Sequence, residues 1–162
     1  MNQKISTRNY QPKDVEALAH IYFNTIHHIN TKHYTQEQVD VWAPQSSLET
    51  ESWAKKFLKT KPIVAVIEEE IVGFAEFEPD GHIDCFYVHH EWLGKGVGAA
   101  LMSEIFIRAK SQNIDRIFAE VSITAKPFFE RQGFIILSEQ TVIKNGVGLT
   151  NYKMEKRDNS TL

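Results

Sequence analysis

The sequence predicts a single α/β domain, and three observations carry that prediction. Its 162 residues are 42% hydrophobic, enough for one core and too few for a second domain of ordinary size. Apolar stripes at helical spacing alternate along the chain with stretches rich in β-branched and aromatic residues. Between one such stretch and a following helix lies WLGKGVGAAL, residues 92–101, with glycine at every second position of its centre. The domain is read as residues 1–157, with 158–162 as a frayed tail.

From the N-terminus, KISTRNY alternates in the manner of a short strand. QPKDVEALAHIYFNTIHHI has Pro12 near a helix start, and Val15, Leu18, Ala19, Tyr22, Ile26 and Ile29 form one stripe, so it reads as an amphipathic helix. In YTQEQVDVWAP, Thr35 and Gln38 stand at capping-box spacing and Pro44 ends a second, short helix. SSLETESWAKKFLK repeats the box at Ser46 and Glu49, then sets Trp53, Phe57 and Leu58 at helical intervals. PIVAVIEEEIVGFAEFEPDGHIDCFYV reads as three consecutive antiparallel strands, turned at EEE and at PDG. Val97, Leu101, Ile105 and Ala109 recur every fourth residue and place a helix from about Gly96 to Gln112. RIFAEV is the next strand. TAKPFFERQGF is a compact helix, with Thr124 as N-cap, Pro127 in its first turn and Gly133 free to end it. FIILSEQTVIKNGVGLTNYKMEK closes the chain as two strands joined at Asn145-Gly146, a strong hairpin signal.

Charge narrows the partners. Lys and Arg number 18 against 21 Asp and Glu, a net charge of −3 that offers no attraction to nucleic acid or to anionic membranes. No apolar run approaches the ~20 residues that cross a bilayer, and the first ten residues lack the apolar segment of a signal peptide, so a cytoplasmic location is expected. A lone Cys85 excludes an internal disulfide and a thiolate zinc site, and within IDCFYV it reads as a small buried residue. His20, His27, His28, His33, His89 and His90 read as surface residues and no metal is expected, because metal ligands should converge with carboxylate or thiolate partners.

The glycines of residues 92–101 carry the functional signal. A glycine-rich turn from a strand into a helix N-terminus presents unpaired N–H groups and the positive end of the helix dipole, which together favour an anion. Any Cβ in that turn would hold phosphate oxygens away from the amides. GKGVGA lacks the spacing and the Lys-Ser/Thr ending of a nucleotide-hydrolysing P-loop, and the hairpins upstream fit poorly with a parallel dinucleotide-binding unit.

YVHHEWLGKGVGAALM resembles the acetyl-CoA-binding segment of the GNAT N-acetyltransferase superfamily, where Gln/Arg-x-x-Gly-x-Gly/Ala follows a strand ending in an apolar-Val pair. Leu93, Gly96 and Gly98 hold the three defining positions, Leu93 departing from the usual Gln or Arg. SITAKPFFERQGF resembles the family's second segment, Asn-x-x-Ala-x-x-Phe/Leu-Tyr-x-x-x-Gly-Phe, with Ala125, Phe128, Gly133 and Phe134 in register and Phe129 in place of the Tyr. The order of elements is similar along nearly the whole chain, and YTQEQVDVWAP with LTNYKMEK is similar to a bacterial YafP-like subgroup. The resemblance implies the GNAT fold, a central mixed, mostly antiparallel sheet flanked by helices. It also implies direct transfer of an acetyl group from acetyl-CoA to a primary amine.

The same resemblance implies that the main chain of Phe86 and Val88 pairs with the pantetheine arm, while the amides of Gly94, Lys95, Gly96, Val97, Gly98 and Ala99 hold the pyrophosphate. Leu93 belongs to that segment, and Ser122, Ala125, Phe128 and Phe129 border the cofactor from the second one. Two-residue alternation places His82, Asp84, Phe86 and Val88 on one face of a strand, making Asp84 and His82 the leading candidates for the general base. His82 falls where several family members carry a catalytic Glu. Glu76 and Glu78 are second choices and read as solvated. With Phe129 at the family's acid position, the thiolate leaves without a donor, or Tyr152 or Tyr34 supplies the proton. Trp42, Tyr34 and Trp53 are candidates for an aromatic wall around the acceptor, read as a small amine. A protein amine and a non-catalytic acyl-CoA-binding module are the alternatives, and a homodimer is left open.

Overall fold

A computed structural model describes residues 3–158. In chain order the elements are β1 (Ile5–Asn9), α1 (Val15–His28), α2 (Gln36–Trp42), α3 (Thr50–Thr60), β2 (Ile63–Ile67), β3 (Glu70–Phe77) and β4 (His82–Val88). They continue as α4 (Val97–Ser111), β5 (Arg116–Ser122), α5 (Lys126–Arg131), β6 (Ile135–Lys144) and β7 (Val147–Arg157). The seven strands form one mixed sheet in the order β1-β2-β3-β4-β5-β7-β6. All neighbours are antiparallel except β4 and β5, which α4 connects as a parallel pair. Of the tail read as frayed, Asp158 N still donates to Asp115 O at 2.8 Å, and residues 159–162 lie outside the described residues.

Helices bury the sheet on both faces. β2 shows why its sequence is an unbroken apolar run: Ile63, Ala65 and Ile67 pack with Leu101, Met102 and Ile105 of α4, while Val64 joins Leu18, Ile21 and Phe57 of α1 and α3 on the other side. Tyr34, Val39 and Ala43 form a third cluster with Ile26 around α2. The Thr35–Gln38 box is formed reciprocally, Gln38 N donating to Thr35 Oγ1 and Thr35 N to Gln38 Oε1. The box read at Ser46 and Glu49 is absent, because residues 45–48 make a 3-10 turn and α3 starts only after Glu49, without a side-chain cap. Leu58 lies on the solvent side of α3 at 65% exposure, opposite the buried Phe57. Thr124 does not cap α5 either; Ala125 holds that position, its N–H donating to Ser122 Oγ, while Thr124 Oγ1 meets His33 Nδ1.

One irregularity decides the geometry of the centre. Ala75 pairs with Phe86 and Phe77 with Ile83, so Glu76 of β3 faces two residues of β4, Asp84 and Cys85. This is a bulge on β4, and past it the alternation of side chains changes phase. Ile83, Phe86 and Val88 therefore pack toward α4 and α5, whereas Asp84, Cys85 and Tyr87 face α1 and α3. The expectation that His82, Asp84, Phe86 and Val88 share a face is overturned. Strict period-two reading cannot detect an inserted residue in the partner ladder.

Candidate active site

β4 and β5 touch only at His82–Phe118 and Ile83–Ala119 and then diverge. His89 N donates to Val72 O at 2.8 Å, so Tyr87 and His89 turn their main-chain groups toward β3 and Phe86 and Val88 turn theirs toward the gap. Thr25 Oγ1 donates to Val88 O across that opening at 2.8 Å. A hollow of about 330 Å³ occupies the wide end of the gap, on the α4 side. Its lining includes Phe86, Val88, Leu93, Gly94 and Gly96, and with them Val97, Gly98 and Ala99 from the start of α4. Ser122, Ala125 and Phe128 close it from β5 and α5. Of the cofactor-binding residues read from the sequence, only Lys95 and Phe129 lie off this wall. Thr25, Asn30, Trp92 and Arg131 also line it and were missed, because nothing in their local sequence marks them.

The loop before α4 is shaped by conformation rather than by packing. Gly94 and Gly96 have φ of 73° and 91°, a region that side chains disfavour. A Cβ at Gly94 would meet nothing within 4 Å and one at Gly96 only Ile5 Cδ1 at 3.6 Å, so the space before these amides is open. Gly98 differs, since a Cβ there would press on the Phe128 ring at 3.2 Å. The first amides of α4 thus meet an open hollow with bare backbone, the arrangement an anion needs.

Across the gap a second hollow of about 340 Å³ lies against α1, α2, α3 and the β6–β7 hairpin. Tyr34, Trp42 and Trp53 all line it, together with Tyr22 and Tyr87. A narrow passage bordered by Asp84, Phe86, Glu120, Ser122 and Phe129 lies between the two, sharing Phe86 and Ser122 with the first and Asp84, Glu120 and Ser122 with the second. Phe129 is 3% exposed and packs edge-on against Phe86, Phe128 and Phe134, which makes it a core ring.

The ionisable candidates form two groups. Lys56, which the sequence did not single out, puts Nζ 2.8 Å from both Glu76 Oε1 and Asp84 Oδ2, and 3.7 Å from Cys85 Sγ. Burial lowers the Lys56 pKa, but Cys85, Asp84 and Glu76 outweigh it and hold the ammonium above its ordinary value. Glu76 is 0% exposed and also accepts from Thr60 Oγ1, so the expectation that it is solvated is wrong. Facing α3 across the bulge, it needs a cation, and Lys56 is within reach one turn before Thr60. Asp84 is half exposed and is held by that same cation.

His82 heads the second group. Its Nδ1 lies 2.6 Å from Glu78 Oε1 and its Nε2 2.9 Å from Glu120 Oε1. Burial opposes its charge, yet the hydrogen bonds to Glu78 and Glu120 raise its pKa above the usual imidazole value. Glu120, on β5, is a second ionisable residue that sequence reading passed over. Tyr152 lies outside all three spaces, its hydroxyl donating to Glu139 Oε1 and its ring under Lys126. Tyr34 is buried, with its hydroxyl donating to Thr150 O and accepting from Ile123 N.

Of the remaining histidines, His20, His28 and His33 are exposed as expected, whereas His27, His89 and His90 are partly buried. His27 Nε2 meets Ala43 O at 2.7 Å, and His28, His90 and His89 stack ring on ring. Burial and then the neighbouring His28 and His89 lower the His90 pKa. Among the described residues, two trios could converge on a metal, Glu76–Asp84–Cys85 and Glu78–His82–Asp84, and Lys56 already occupies the carboxylates of the first.

A mixed sheet that opens between parallel neighbours, over a glycine loop and a helix N-terminus, is the architecture that the resemblance to the GNAT superfamily implied. Comparison with known proteins agrees: the family model of the acetyltransferase (GNAT) domain matches residues 30–156. The uncharacterized N-acetyltransferase YafP of Escherichia coli (strain K12) is 34% identical over 150 residues, spanning 93% of this chain and 94% of that protein. A crystal structure of a GCN5-related N-acetyltransferase from Rhodopseudomonas palustris superposes with a TM-score of 0.90 at 28% identity, over 98% of this chain and 99% of that one. The PaiA N-acetyltransferase of Thermoplasma acidophilum, solved in complex with coenzyme A, shares the fold with a TM-score of 0.77 at 17% identity, covering 96% and 99% of the two chains. The chain belongs to the GNAT family of N-acetyltransferases.

Proposed function

We propose that the enzyme transfers the acetyl group of acetyl-CoA directly to the primary amine of a small molecule. The observation that carries this reading is the opening of β4 from β5, which leaves the main chain of Phe86 and Val88 facing a hollow that ends at the amides of α4. The pantetheine amides would complete the ladder that β5 abandons, and the pyrophosphate would lie on the amides from Gly94 to Ala99. Leu93, Lys95, Ser122, Ala125 and Phe128 would border it, and the exposed Arg131 adds a cation at the rim. The complex of PaiA with coenzyme A supports this choice of donor.

Acceptor and donor would meet in the passage between the hollows. There the amine nitrogen forms a bond to the acetyl carbon as the bond to sulfur breaks, with the Val88 amide facing the thioester oxygen. Phe129 offers no proton, so the coenzyme A thiolate leaves unassisted. The acceptor hollow, about 340 Å³ between α1, α2, α3 and the last hairpin, is of a size that supports a small amine. Among the described residues no helix is long and apolar enough to cross a membrane; the Escherichia coli relative supports a bacterial setting, and the cytoplasm is the location we propose. The outer strand β6 exposes Ile135, Leu137 and Ile143, an edge of the kind that favours pairing with a second copy.

Incubating the protein with acetyl-CoA and a panel of amines, with thiol release as the readout, tests the reading. Release that depends on the amine supports it. Tight acetyl-CoA binding without release would make the chain an acyl-CoA-binding module, and release driven only by peptides would move the acceptor to proteins.

A further inference from the structure

Two carboxylates border the passage on its acceptor side, Asp84 from β4 and Glu120 from β5. They differ in their partners. Asp84 sits 2.8 Å from the ammonium of Lys56, which the buried Glu76 also fixes, so it is already engaged in an ion pair. Glu120 has His82 as its partner, Nε2 lying 2.9 and 3.2 Å from its two oxygens. On the other side of the ring, Nδ1 is 2.6 Å from Glu78 Oε1, and Glu78 is partly open to solvent. The three side chains form a continuous line, with His82 at 18% exposure between the more open Glu120 and Glu78 at 41% and 37%. His82 itself lines none of the hollows, so it meets an acceptor only through Glu120.

We propose that Glu120 takes the proton of the acceptor amine and that His82, held by Glu78, positions Glu120 and passes that proton along to Glu78. The inference rests on reading the passage as the place of acetyl transfer. An ammonium acceptor gives its proton to a Glu120 oxygen, and the electrons of that N–H bond remain on nitrogen as the lone pair. The proton passes to His82 Nε2 while the Nδ1 proton moves to Glu78 and on to solvent. The nitrogen then forms the C–N bond as the C–S electrons leave with the coenzyme A sulfur. Asp84 keeps its ion pair throughout and serves to hold Lys56.

The charges around His82 set the direction of its pH dependence. Glu78 and Asp80 face it from the preceding turn, where His82 N donates to Asp80 Oδ1; Asp84 lies near on its own strand; Glu120 faces it from β5. Arg116 is the nearby cation, separated from the imidazole by the Phe118 ring. The carboxylates prevail and raise the pKa against burial, so the neutral ring that can accept a proton fills above the ordinary imidazole range. The rate should rise with pH through that transition.

Two measurements on the intact enzyme test this together: the pH profile of kcat by thiol release, and the titration of the His82 ring by NMR. Glu120→Gln should lower kcat by roughly 10²–10⁴-fold, the usual worth of a positioned base, with acetyl-CoA affinity unchanged, while Asp84→Asn should cost less than about tenfold. Glu78→Gln should move the His82 titration and the acidic limb of kcat to lower pH by the same amount, which the acceptor's own pKa cannot do. A limb that stays fixed while the His82 titration moves overturns the relay, as does Glu120→Gln at the wild-type rate. Either result leaves acetyl transfer intact. A wild type that binds acetyl-CoA and releases no thiol with any amine removes the transfer reading, and the relay with it.

Discussion

The two sides of the passage are built from different materials. On the α4 side the polar groups that face the hollow are main-chain amides and carbonyls, placed by glycine conformation at residues 94 and 96 and by the divergence of β4 from β5. On the α1–α3 side they are ionisable side chains from three separate segments, Lys56 on α3, Asp84 on β4 and Glu120 on β5, brought to one space by a bulge. Backbone sites are robust to most substitutions and fail when a side chain intrudes. Side-chain sites fail when one partner is removed and the others are left buried. The same enzyme should therefore break in opposite ways on its two sides.

The largest expected effect is on the side-chain half. Lys56→Met leaves Glu76 buried without its cation and should destabilise the fold by about 3–5 kcal/mol, read from urea unfolding. Adding Glu76→Gln to that variant should restore most of the loss. A single variant as stable as the wild type would mean that Glu76 is held by Thr60 alone. On the backbone half, Gly96→Asp should cost only about 1–2 kcal/mol of stability, the strain of a side chain at a φ of 91°, because its Cβ would meet only Ile5 Cδ1. Its negative charge in front of the first amides of α4 should in addition cost ~2 kcal/mol or more in acetyl-CoA affinity by calorimetry. Equal affinity would remove the pyrophosphate from that loop.

A smaller effect separates the halves by pH. The His82 pKa is raised in the fold, so the stability it supplies is full below its unfolded value and is lost as pH rises through the folded one. Thermal unfolding across neutral pH should show that decline in the wild type and a flatter profile in Glu78→Gln. An identical slope in both would mean that the His82 contacts persist whatever its charge.

How much of this was legible follows the same division. Asn145-Gly146 adopts φ of 49° and 79° at the expected hairpin, and Thr35 caps α2 as its spacing promised, because such signals act over four residues or fewer. Ser46 and Glu49 carry the same spacing and form no box, since Pro44 sets a 3-10 turn there and Trp53 Nε1 donates to Ser47 O. The cradle was readable for the reason the caps were: all its essential atoms come from one short run. Local signals fail only where a neighbour competes for the same groups.

By itself, the sequence determined the order of elements, the apolar faces of the helices and the glycine loop, each of which depends on period or on φ within a few consecutive residues. Tertiary structure decided where the charges sit. The extra residue in β4 opposite Glu76 turned Asp84 and Cys85 together toward α3, where Lys56 closes on them, and it left Phe86 and Val88 on the other side. That choice is made by the register between two strands. A register belongs to the pair, so neither strand alone carries it.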